Sequence, residues 1–428
     1  MFDVLSPPAP AQTPNLDALI ESDRFHPSLY TDPSIFDLEI DRIFHRTWVW
    51  VAHESEVANT GDFKMTTVGR TPVIVTRDGK GQVNVFLNRC RHRGATICDR
   101  NEGNVRSFTC PYHAWTYGLD GRLIGIPYEE GYDGVADKAD LPLQALKVGV
   151  YRGLVFASMT DEVEPLEDHL GEARLWIDLF MHQGGGFPIK VAGAHKFRFK
   201  GNWKIQLENT TDAYHFPFVH RTFIDAMDPV MAKGFTDFMR EDGPYVRALG
   251  NGHSVAVFFP QTVDLKTDND QPIPPQFEPL AKQLAEQYPM DRVRWIIRAI
   301  GGAGFNLNLF PNIGLSAAFL RELRPLSVDE TEIQHLALVM DGGPDDANRA
   351  RLRIHEKFQG AGGFGSPDDM TAWERVQMGA GASSDESWIL INRGLKREKQ
   401  VEGHLQAHVT DETGMREGYA MWKRMMTK

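Results

Sequence analysis

Two short cysteine–histidine pairs stand close together in the chain: Cys90-Arg91-His92 and, after a gap of seventeen residues, Cys110-Pro111-Tyr112-His113. A gap of that length allows a hairpin to bring the two loops side by side. Two thiolates and two imidazoles would then converge on one place. The pattern therefore predicts a metal centre held between two loops.

Two kinds of centre use these four ligands. One is a structural zinc site. The other is a Rieske [2Fe–2S] cluster, in which two cysteines hold one iron and two histidines hold the other. Zinc loops usually place about two or three residues between paired ligands, so the single residue between Cys90 and His92 favours the cluster. Tyr112, Trp115 and Tyr117 would keep such a redox centre partly dry.

The composition limits the possible classes of protein. A chain of 428 residues is long enough for two or three domains. Its 42% hydrophobic and 24% charged residues are typical of a soluble globular protein. The formal net charge of −12 argues against a non-specific nucleic-acid binder, which would be basic.

Only three cysteines are present, and the motif uses two of them, so Cys98 is left over and no disulfide framework is expected. Free cysteine ligands favour a reducing compartment. Residues 1–15 lack the basic start and apolar run of a signal peptide, and no apolar stretch of about eighteen residues is present to span a membrane. We expect a soluble cytoplasmic protein without membrane association.

The metal loops fall in a predicted all-β domain over residues 47–162. Helical spacing of apolar residues over 34–50 precedes it. Strands over 73–76 and 83–87 flank Asp78-Gly79 and indicate a hairpin. Further strands are predicted at 107–109, 115–117, 122–124 and 153–156.

The remaining chain, residues 1–46 and 163–428, is predicted to form an α+β catalytic domain in which helices flank an antiparallel sheet. A helix over 166–182 ends at three consecutive glycines. Strands are predicted at 196–200, 315–323 and 333–340, and helices at 345–358, 373–378 and 415–426.

A second metal site is predicted between Glu208 and His220. On a helix, Glu208, Asp212 and His215 would share one face. His220 would point elsewhere, but Pro217 breaks the helix and allows it to swing back toward His215. Asp212 is then placed to accept the other ring N–H of a histidine ligand.

Two histidines alone are weak evidence, because core and surface histidines are commoner than metal sites. A Rieske cluster, however, delivers single electrons and needs an acceptor. A non-haem Fe(II) held by two histidines and one carboxylate suits that role. The carboxylate is expected from the glycine-rich segment 360–369, at Asp368 or Asp369, and the other aspartate is expected to cap the following helix.

Taken together, these motifs resemble those of the large (α) subunit of Rieske non-haem iron aromatic-ring-hydroxylating oxygenases, over nearly the full length. The resemblance is carried by Cys90-x-His92 with Cys110-x2-His113-x-Trp115, by Asn202-Trp203-Lys204 with Glu208-Asn209-x2-Asp212-x-Tyr214-His215-x4-His220, and by Gly360-x2-Gly363 with Asp368-Asp369. One departure is Ala114, where the family usually has glycine.

The resemblance implies a role for each motif. Cys90 and Cys110 would hold the inner iron of the cluster, and His92 and His113 the outer iron. His215, His220 and Asp369 match the iron-binding triad. Asp212 matches the aspartate that links the cluster of one subunit to the mononuclear iron of the next, which implies an α trimer, with a small β subunit in an α3β3 assembly. The chain has no dinucleotide fingerprint, so a separate reductase, with or without a ferredoxin, must supply the electrons.

Within the family the chain is similar to the benzoate, halobenzoate and terephthalate group, on the motifs Ser366-Pro367-Asp368-Asp369 and residues 321–327. Arg321 could clamp an aromatic carboxylate with its guanidinium, or could form a surface ion pair with Glu322 or Glu332. Arg416 is a second clamp candidate.

The predicted reaction uses O2 and two electrons to convert a small aromatic substrate to a cis-dihydrodiol. A Rieske monooxygenase or demethylase is the alternative within enzymes. A Rieske electron-transfer protein and a zinc-stabilised binding module are the alternatives outside them. The motifs do not name the substrate.

Overall fold

The computed structural model describes residues 15–427 except 228, 238, 240–241, 261–262, 264–272, 301, 383 and 385–386. The N-terminal segment used to judge targeting lies almost entirely outside these residues. Among the described residues, no helix is both long and apolar enough to cross a membrane.

The first part of the chain is built mainly from short antiparallel strands, as predicted. Its elements are β1 (Arg24–Phe25), α1 (Ser28–Thr31), α2 (Pro33–Glu39), β2 (Val49–His53), β3 (Asp62–Val68), β4 (Thr71–Arg77), β5 (Val83–Leu87), β6 (Glu102–Asn104), β7 (Phe108–Thr109), β8 (Thr116–Tyr117), β9 (Leu123–Gly125), β10 (Lys147–Tyr151), β11 (Leu154–Ser158), α3 (Leu166–Leu170) and α4 (Ala173–Met181).

Three small sheets make the all-β domain, in the orders β10-β11-β2, β5-β4-β3-β6 and β7-β8-β9. The predicted helix over 34–50 is shorter than expected, because α2 continues only as a π turn to Phe44 and β2 then begins. The predicted helix over 166–182 is broken at Gly171, whose φ of +47° ends α3.

The second part of the chain contains a large sheet and most of the helices. Its elements are β12 (Ile189–Phe199), α5 (Trp203–Asn209), α6 (Phe216–Val219), α7 (Arg221–Asp225), α8 (Pro229–Asp237), β13 (Tyr245–Gly250), β14 (His253–Val257), α9 (Glu278–Leu284), α10 (Met290–Ile300), β15 (Phe305–Leu309), β16 (Ile313–Ser316), β17 (Phe319–Ser327), β18 (Glu330–Met340), α11 (Asp345–Gln359), α12 (Ser366–Gly381), β19 (Ile389–Leu390), β20 (Lys399–Val401), β21 (His404–His408) and α13 (Thr413–Met426).

The large sheet has nine antiparallel strands in the order β12-β18-β17-β16-β15-β14-β13-β21-β20. The single strand predicted over 315–323 is wrong: the chain reverses at Ala317, with φ of +46°, and forms β16 and β17. The turn contains no glycine or proline. Both strands are almost entirely buried, so the apolar pattern runs through the turn without a break.

The two parts of the chain pack directly on each other. The backbone N–H of Trp50 in β2 donates to the Asn312 carboxamide oxygen, and the Asn312 amide donates to the Trp50 carbonyl, each at 2.9 Å. Such buried paired bonds tie the all-β domain to the loop between β15 and β16. The all-β domain and the large sheet therefore belong to one packed unit.

Candidate metal centres and substrate cavity

The two cysteine–histidine loops close in the same way. The Cys90 and Cys110 amides donate to the Ala95 and Trp115 carbonyls, each at 2.8 Å. The Gly94 and Ala114 amides donate hydrogen bonds to the Cys90 and Cys110 carbonyls, respectively, each at 3.0 Å. These matched turns present the two cysteine–histidine pairs from equivalent positions.

Ala114 occupies a backbone conformation that favours glycine, with φ of +54°; Gly94, at the matching place in the first loop, has φ of +74°. An alanine there costs roughly 1 kcal/mol relative to glycine. The departure from the family pattern is therefore tolerated at a small conformational cost.

The ligand atoms of these loops fit a two-iron cluster better than a single zinc. Both cysteines are 2% exposed, the histidines are half-buried, and the two Nδ1 atoms lie 3.1 Å apart. That spacing suits two ligands of one metal ion. A single zinc ion would also need both sulfurs near the same point. Among the described residues, however, the one group of three histidine, cysteine or carboxylate donors within 4.8 Å of one another is His215, His220 and Asp369 at the second site.

Aromatic groups surround the loops. Trp115 stacks on His92 with ring centroids 4.8 Å apart, and the Tyr132 hydroxyl lies 3.3 Å from His92 Nε2. Burial and the neighbouring Cys90 raise the pKa of Tyr117, so its O–H stays protonated 3.3 Å from Cys90 Sγ. Tyr112 covers His113 but is 60% exposed, so the site is dry on its inner side only.

At the second site, the predicted shared helical face is wrong. Helix α5 ends at Asn209, so Asp212 and His215 lie beyond it. Glu208 points the other way, into the core, where it accepts hydrogen bonds from Tyr30 and Tyr419 at 2.6 Å each. Pro217 lies in the first turn of α6 and starts a new helix, as its fixed φ permits.

His215, His220 and Asp369 nevertheless come together as predicted, with their ligand atoms within 4.8 Å of one another. Asp369 Oδ1 lies 3.1 Å from His220 Nε2 and 3.5 Å from His215 Nε2. Ligands about 2.1 Å from an octahedral metal ion lie about 3 Å apart on one face, so the trio fits an iron site with open positions. Within the described chain, Asp369 Oδ1 and His220 Nδ1 are buried and have no hydrogen-bond partner.

Asp212 holds His215 from outside this trio. Its Oδ2 lies 3.2 Å from His215 Nδ1, on the ring edge opposite to Nε2. Burial lowers the pKa of His215, but the hydrogen bond and charge of Asp212, with the charge of Asp369, outweigh burial and raise it. Asp212 thus fixes the ring orientation and leaves Nε2 free to bind a metal.

Asp369 reaches the histidines because of how α12 begins. The predicted aspartate cap is wrong: Gly365 occupies the N-cap, and Asp368 and Asp369 both lie in the first turn. A Cβ at Gly365 would lie 2.4 Å from the Phe358 ring, so only glycine allows this approach. Burial raises the pKa of Asp369, but His220, His215 and Arg321 outweigh it and hold the pKa below its usual range.

A cavity of about 400 Å³ opens beside the trio. Its walls are mostly apolar and include seven phenylalanines, which suits an aromatic ring near the metal position. Polar side chains in the wall include Asn306, Ser316, Arg321 and His355. The phenylalanines in the wall are Phe216, Phe223, Phe258, Phe259, Phe305, Phe319 and Phe358.

Arg321 lies in this wall and is only 5% exposed. Its Nε donates to His335 Nε2 at 3.1 Å, and its Nη1 is 2.6 Å from the Gln206 carboxamide, which can accept from it when the amide oxygen is turned toward Arg321. Burial lowers its pKa to about 10, although Asp369 opposes the shift. The surface ion-pair interpretation is wrong, because Glu322 pairs with Arg324, and Glu332 pairs with Arg324 and Arg198.

Arg416, the second clamp candidate, is also wrong. It pairs with Glu398 at 2.5 Å and is not among the residues that line the cavity. His335, Gln206 and His355 also belong to the site, and none of them was predicted from the sequence. Each is a single polar residue in a buried strand or helix, so no local pattern marks it.

Comparison with protein families agrees with this arrangement. Residues 47–144 match the Rieske [2Fe-2S] domain, and residues 189–428 match the ring hydroxylating alpha subunit catalytic domain. The chain belongs to the ring-hydroxylating dioxygenase α-subunit family.

Relatives of this α subunit are similar over most of their length. It is 34% identical to the anthranilate 1,2-dioxygenase large subunit of Acinetobacter baylyi, over 86% of the chain and 79% of the relative. It is 32% identical to the toluate 1,2-dioxygenase subunit alpha of Pseudomonas putida, over 89% and 85%. A crystal structure of a naphthalene 1,2-dioxygenase variant bound to phenanthrene has the same fold, with a TM-score of 0.82, 24% identity, and coverage of 96% and 94%.

Family membership confirms the predicted fold and class of activity. The α subunit is the large subunit of a terminal oxygenase, an oxidoreductase that adds oxygen to an aromatic ring. Its cofactors are a Rieske [2Fe–2S] cluster and a mononuclear non-haem iron, and it works with partner subunits and a reductase. The zinc module and the simple electron-transfer protein are therefore excluded.

Proposed function

We propose that this α subunit cis-dihydroxylates the ring of a small aromatic carboxylate and that Arg321 binds the carboxylate group. The observation that carries the proposal is the buried guanidinium of Arg321 in the wall of a largely apolar cavity, beside the trio of His215, His220 and Asp369. Anthranilate and toluate, which name two of the relatives, are both aromatic acids.

The metal-binding trio, Asp212 and Arg321 each have a role in this proposal. His215, His220 and Asp369 would hold the iron, and Asp212 orients His215. The iron supplies the binding and activation of O2. Arg321 donates N–H groups to the substrate carboxylate, and the phenylalanine walls hold the ring and exclude water.

The reaction balances with electrons from outside the chain. Two oxygen atoms of O2 add to neighbouring ring carbons, and two electrons and two protons complete the cis-dihydrodiol. Cys90 and Cys110, with His92 and His113, would hold a Rieske cluster, which supplies one-electron transfer when bound.

The proposal also covers assembly and location. We assign the Rieske domain to residues 47–162 and the catalytic domain to residues 1–46 and 163–428. Asp212 would connect the cluster of one subunit to the iron of the next in an α3β3 complex, and a separate reductase, with or without a ferredoxin, would feed the cluster. The three cysteines are unpaired in the structure, which favours a reducing, cytoplasmic location.

The test is a product screen with the purified oxygenase, a suitable reductase and NAD(P)H. Benzoic acids should yield cis-dihydrodiols with both oxygen atoms from labelled O2. Incorporation of one atom, or demethylation, would favour the monooxygenase alternative. Preferred turnover of benzene or naphthalene over the acids would refute the carboxylate assignment.

A further inference from the structure

We propose that His355 is a second recognition group in the cavity and that it selects aromatic acids bearing a hydrogen-bonding substituent, an amino or hydroxyl group, in addition to the carboxylate. This inference rests on the proposed function, because Arg321 must first hold the acid in the cavity. It makes the substrate class a disubstituted ring with two polar points of attachment.

His355 lies where the buried row of helix α11 reaches the cavity. Ala347, Arg351, His355 and Gln359 follow at intervals of four residues and face the core. His355 and Gln359 are the two of these that line the cavity. The imidazole is only 4% exposed, so the surrounding protein fixes its position.

Both ring nitrogens of His355 lack a hydrogen-bond partner among the described residues. Among the described residues, His169 and His220 each lack a partner at one buried ring nitrogen, whereas His355 lacks one at both; His335, by contrast, receives the Arg321 N–H at 3.1 Å. Leaving a buried polar atom without a partner costs stability. A bound molecule in the cavity can remove that cost.

The imidazole is neutral in this environment. Burial lowers the pKa of His355 to about 4, nearby His195 adds to the effect, and Glu356 opposes it. A neutral imidazole offers one N–H donor and one nitrogen acceptor. Amino and hydroxyl groups can pair with either, whereas a methyl group of similar size can pair with neither.

Phe319 lies between the two recognition groups. Its ring centroid is 5.5 Å from Arg321 Cζ and 5.5 Å from the His355 ring centroid. Arg321 and His355 therefore flank one aromatic side chain on the same wall. A substrate ring that packs on Phe319 can present its carboxylate to Arg321 and a second substituent to His355.

The experiment measures dissociation constants by calorimetry on the holoenzyme without O2. The ligands are the three aminobenzoates, the three hydroxybenzoates and the matching methylbenzoates. Selectivity is the dissociation constant of the methyl compound divided by that of its amino or hydroxyl counterpart. For the isomer that the wild type binds most tightly, His355→Leu should lower selectivity roughly 5–30-fold, the effect of one or two kcal/mol.

Two further variants separate recognition from packing. His355→Gln keeps a donor and an acceptor and should retain part of the selectivity. His195 stacks on His355 with ring centroids 5.6 Å apart but does not line the cavity, so His195→Gln should leave selectivity at the wild-type value. The Rieske absorbance and the melting temperature check that each variant is folded.

The outcomes are distinguishable. If the wild type binds the acids and His355→Leu has the same selectivity as the wild type, the inference is overturned while the proposed function stands. Equal losses in His355→Leu and His195→Gln also overturn it, since they would trace to packing. If the wild type binds no benzoic acid, the proposed function fails and the inference fails with it.

Discussion

Replacing Arg321 by leucine should specifically impair the turnover of aromatic acids. Burial lowers the pKa of the guanidinium from 12.5 to about 10. One pKa unit corresponds to about 1.36 kcal/mol, so keeping the guanidinium charged in this position costs roughly 3 kcal/mol. A substrate carboxylate offsets that cost. Removing one partner of such a buried charged pair typically costs about 2–5 kcal/mol, so kcat/KM for the acid should fall about 30- to 5,000-fold.

The assay compares kcat/KM for benzoate and for toluene, a neutral analogue of similar size, with the wild type and Arg321→Leu. The neutral compound never uses the guanidinium, so the ratio of acid to neutral turnover should collapse. Arg321→Lys should retain part of the preference, because it keeps the charge but not the two-pronged geometry.

Arg351 provides a matched control. It is also a buried arginine, burial lowers its pKa to about 10 as well, and its Nε donates to the Leu338 carbonyl rather than facing the cavity. Arg351→Leu should change stability but not the acid-to-neutral ratio. Equal losses for acid and neutral substrates in Arg321→Leu would refute the clamp and make Arg321 a structural residue that holds His335.

Asp369→Ala should remove the mononuclear iron and abolish oxygenation with the Rieske spectrum intact, whereas Asp368→Ala should keep both; metal analysis showing the reverse would make Asp368 the ligand. Asp212→Asn weakens the acceptor for His215 Nδ1 and should reduce turnover about 10–100-fold while the iron stays bound and the cluster stays reducible. Loss of iron in proportion to the loss of activity would instead show that Asp212 acts by retaining the metal. Burial raises the pKa of Glu208 from 4.5 to about 7, so its stabilising contribution is complete below pH 4.5 and is lost as pH rises through 7, by up to about 3 kcal/mol. Glu208→Gln should flatten the dependence of unfolding free energy on pH between 4.5 and 8, as denaturant titrations would show; parallel curves for the two proteins would contradict this.

Local spacing in the sequence was enough to predict the metal-binding loops and the overall class of fold. Cys90 and His92, like Cys110 and His113, are separated by so few residues that a single turn places both side chains on one side. The antiparallel α+β architecture follows from strand and helix periodicities that burial on one face imposes. The predicted break at Pro217 was wrong, because α5 already ends at Asn209 and Pro217 lies in the first turn of α6.

Interpretations that depended on where an element ends, or on what packs against it, needed the tertiary structure. The helix carrying Glu208 ends at Asn209, so Glu208 turns to the core. The turn at Ala317 lies inside an unbroken apolar run, because both strands are buried. Arg416 was a second clamp candidate in the sequence, but it pairs with Glu398, and neither residue lines the cavity.

The sequence by itself determined the cysteine–histidine pairs and the pair His215 and His220, since the two residues of each pair lie within a few positions of each other. Only the tertiary structure decided that Asp369 rather than Asp368 faces His220, and that Arg321 and His355 share one wall. The rotation of α12 about its axis is set by the contact of Gly365 with Phe358, and the position of α11 by its packing on β18. Contacts between residues distant in sequence arise from the packing of whole elements, and no local pattern encodes them.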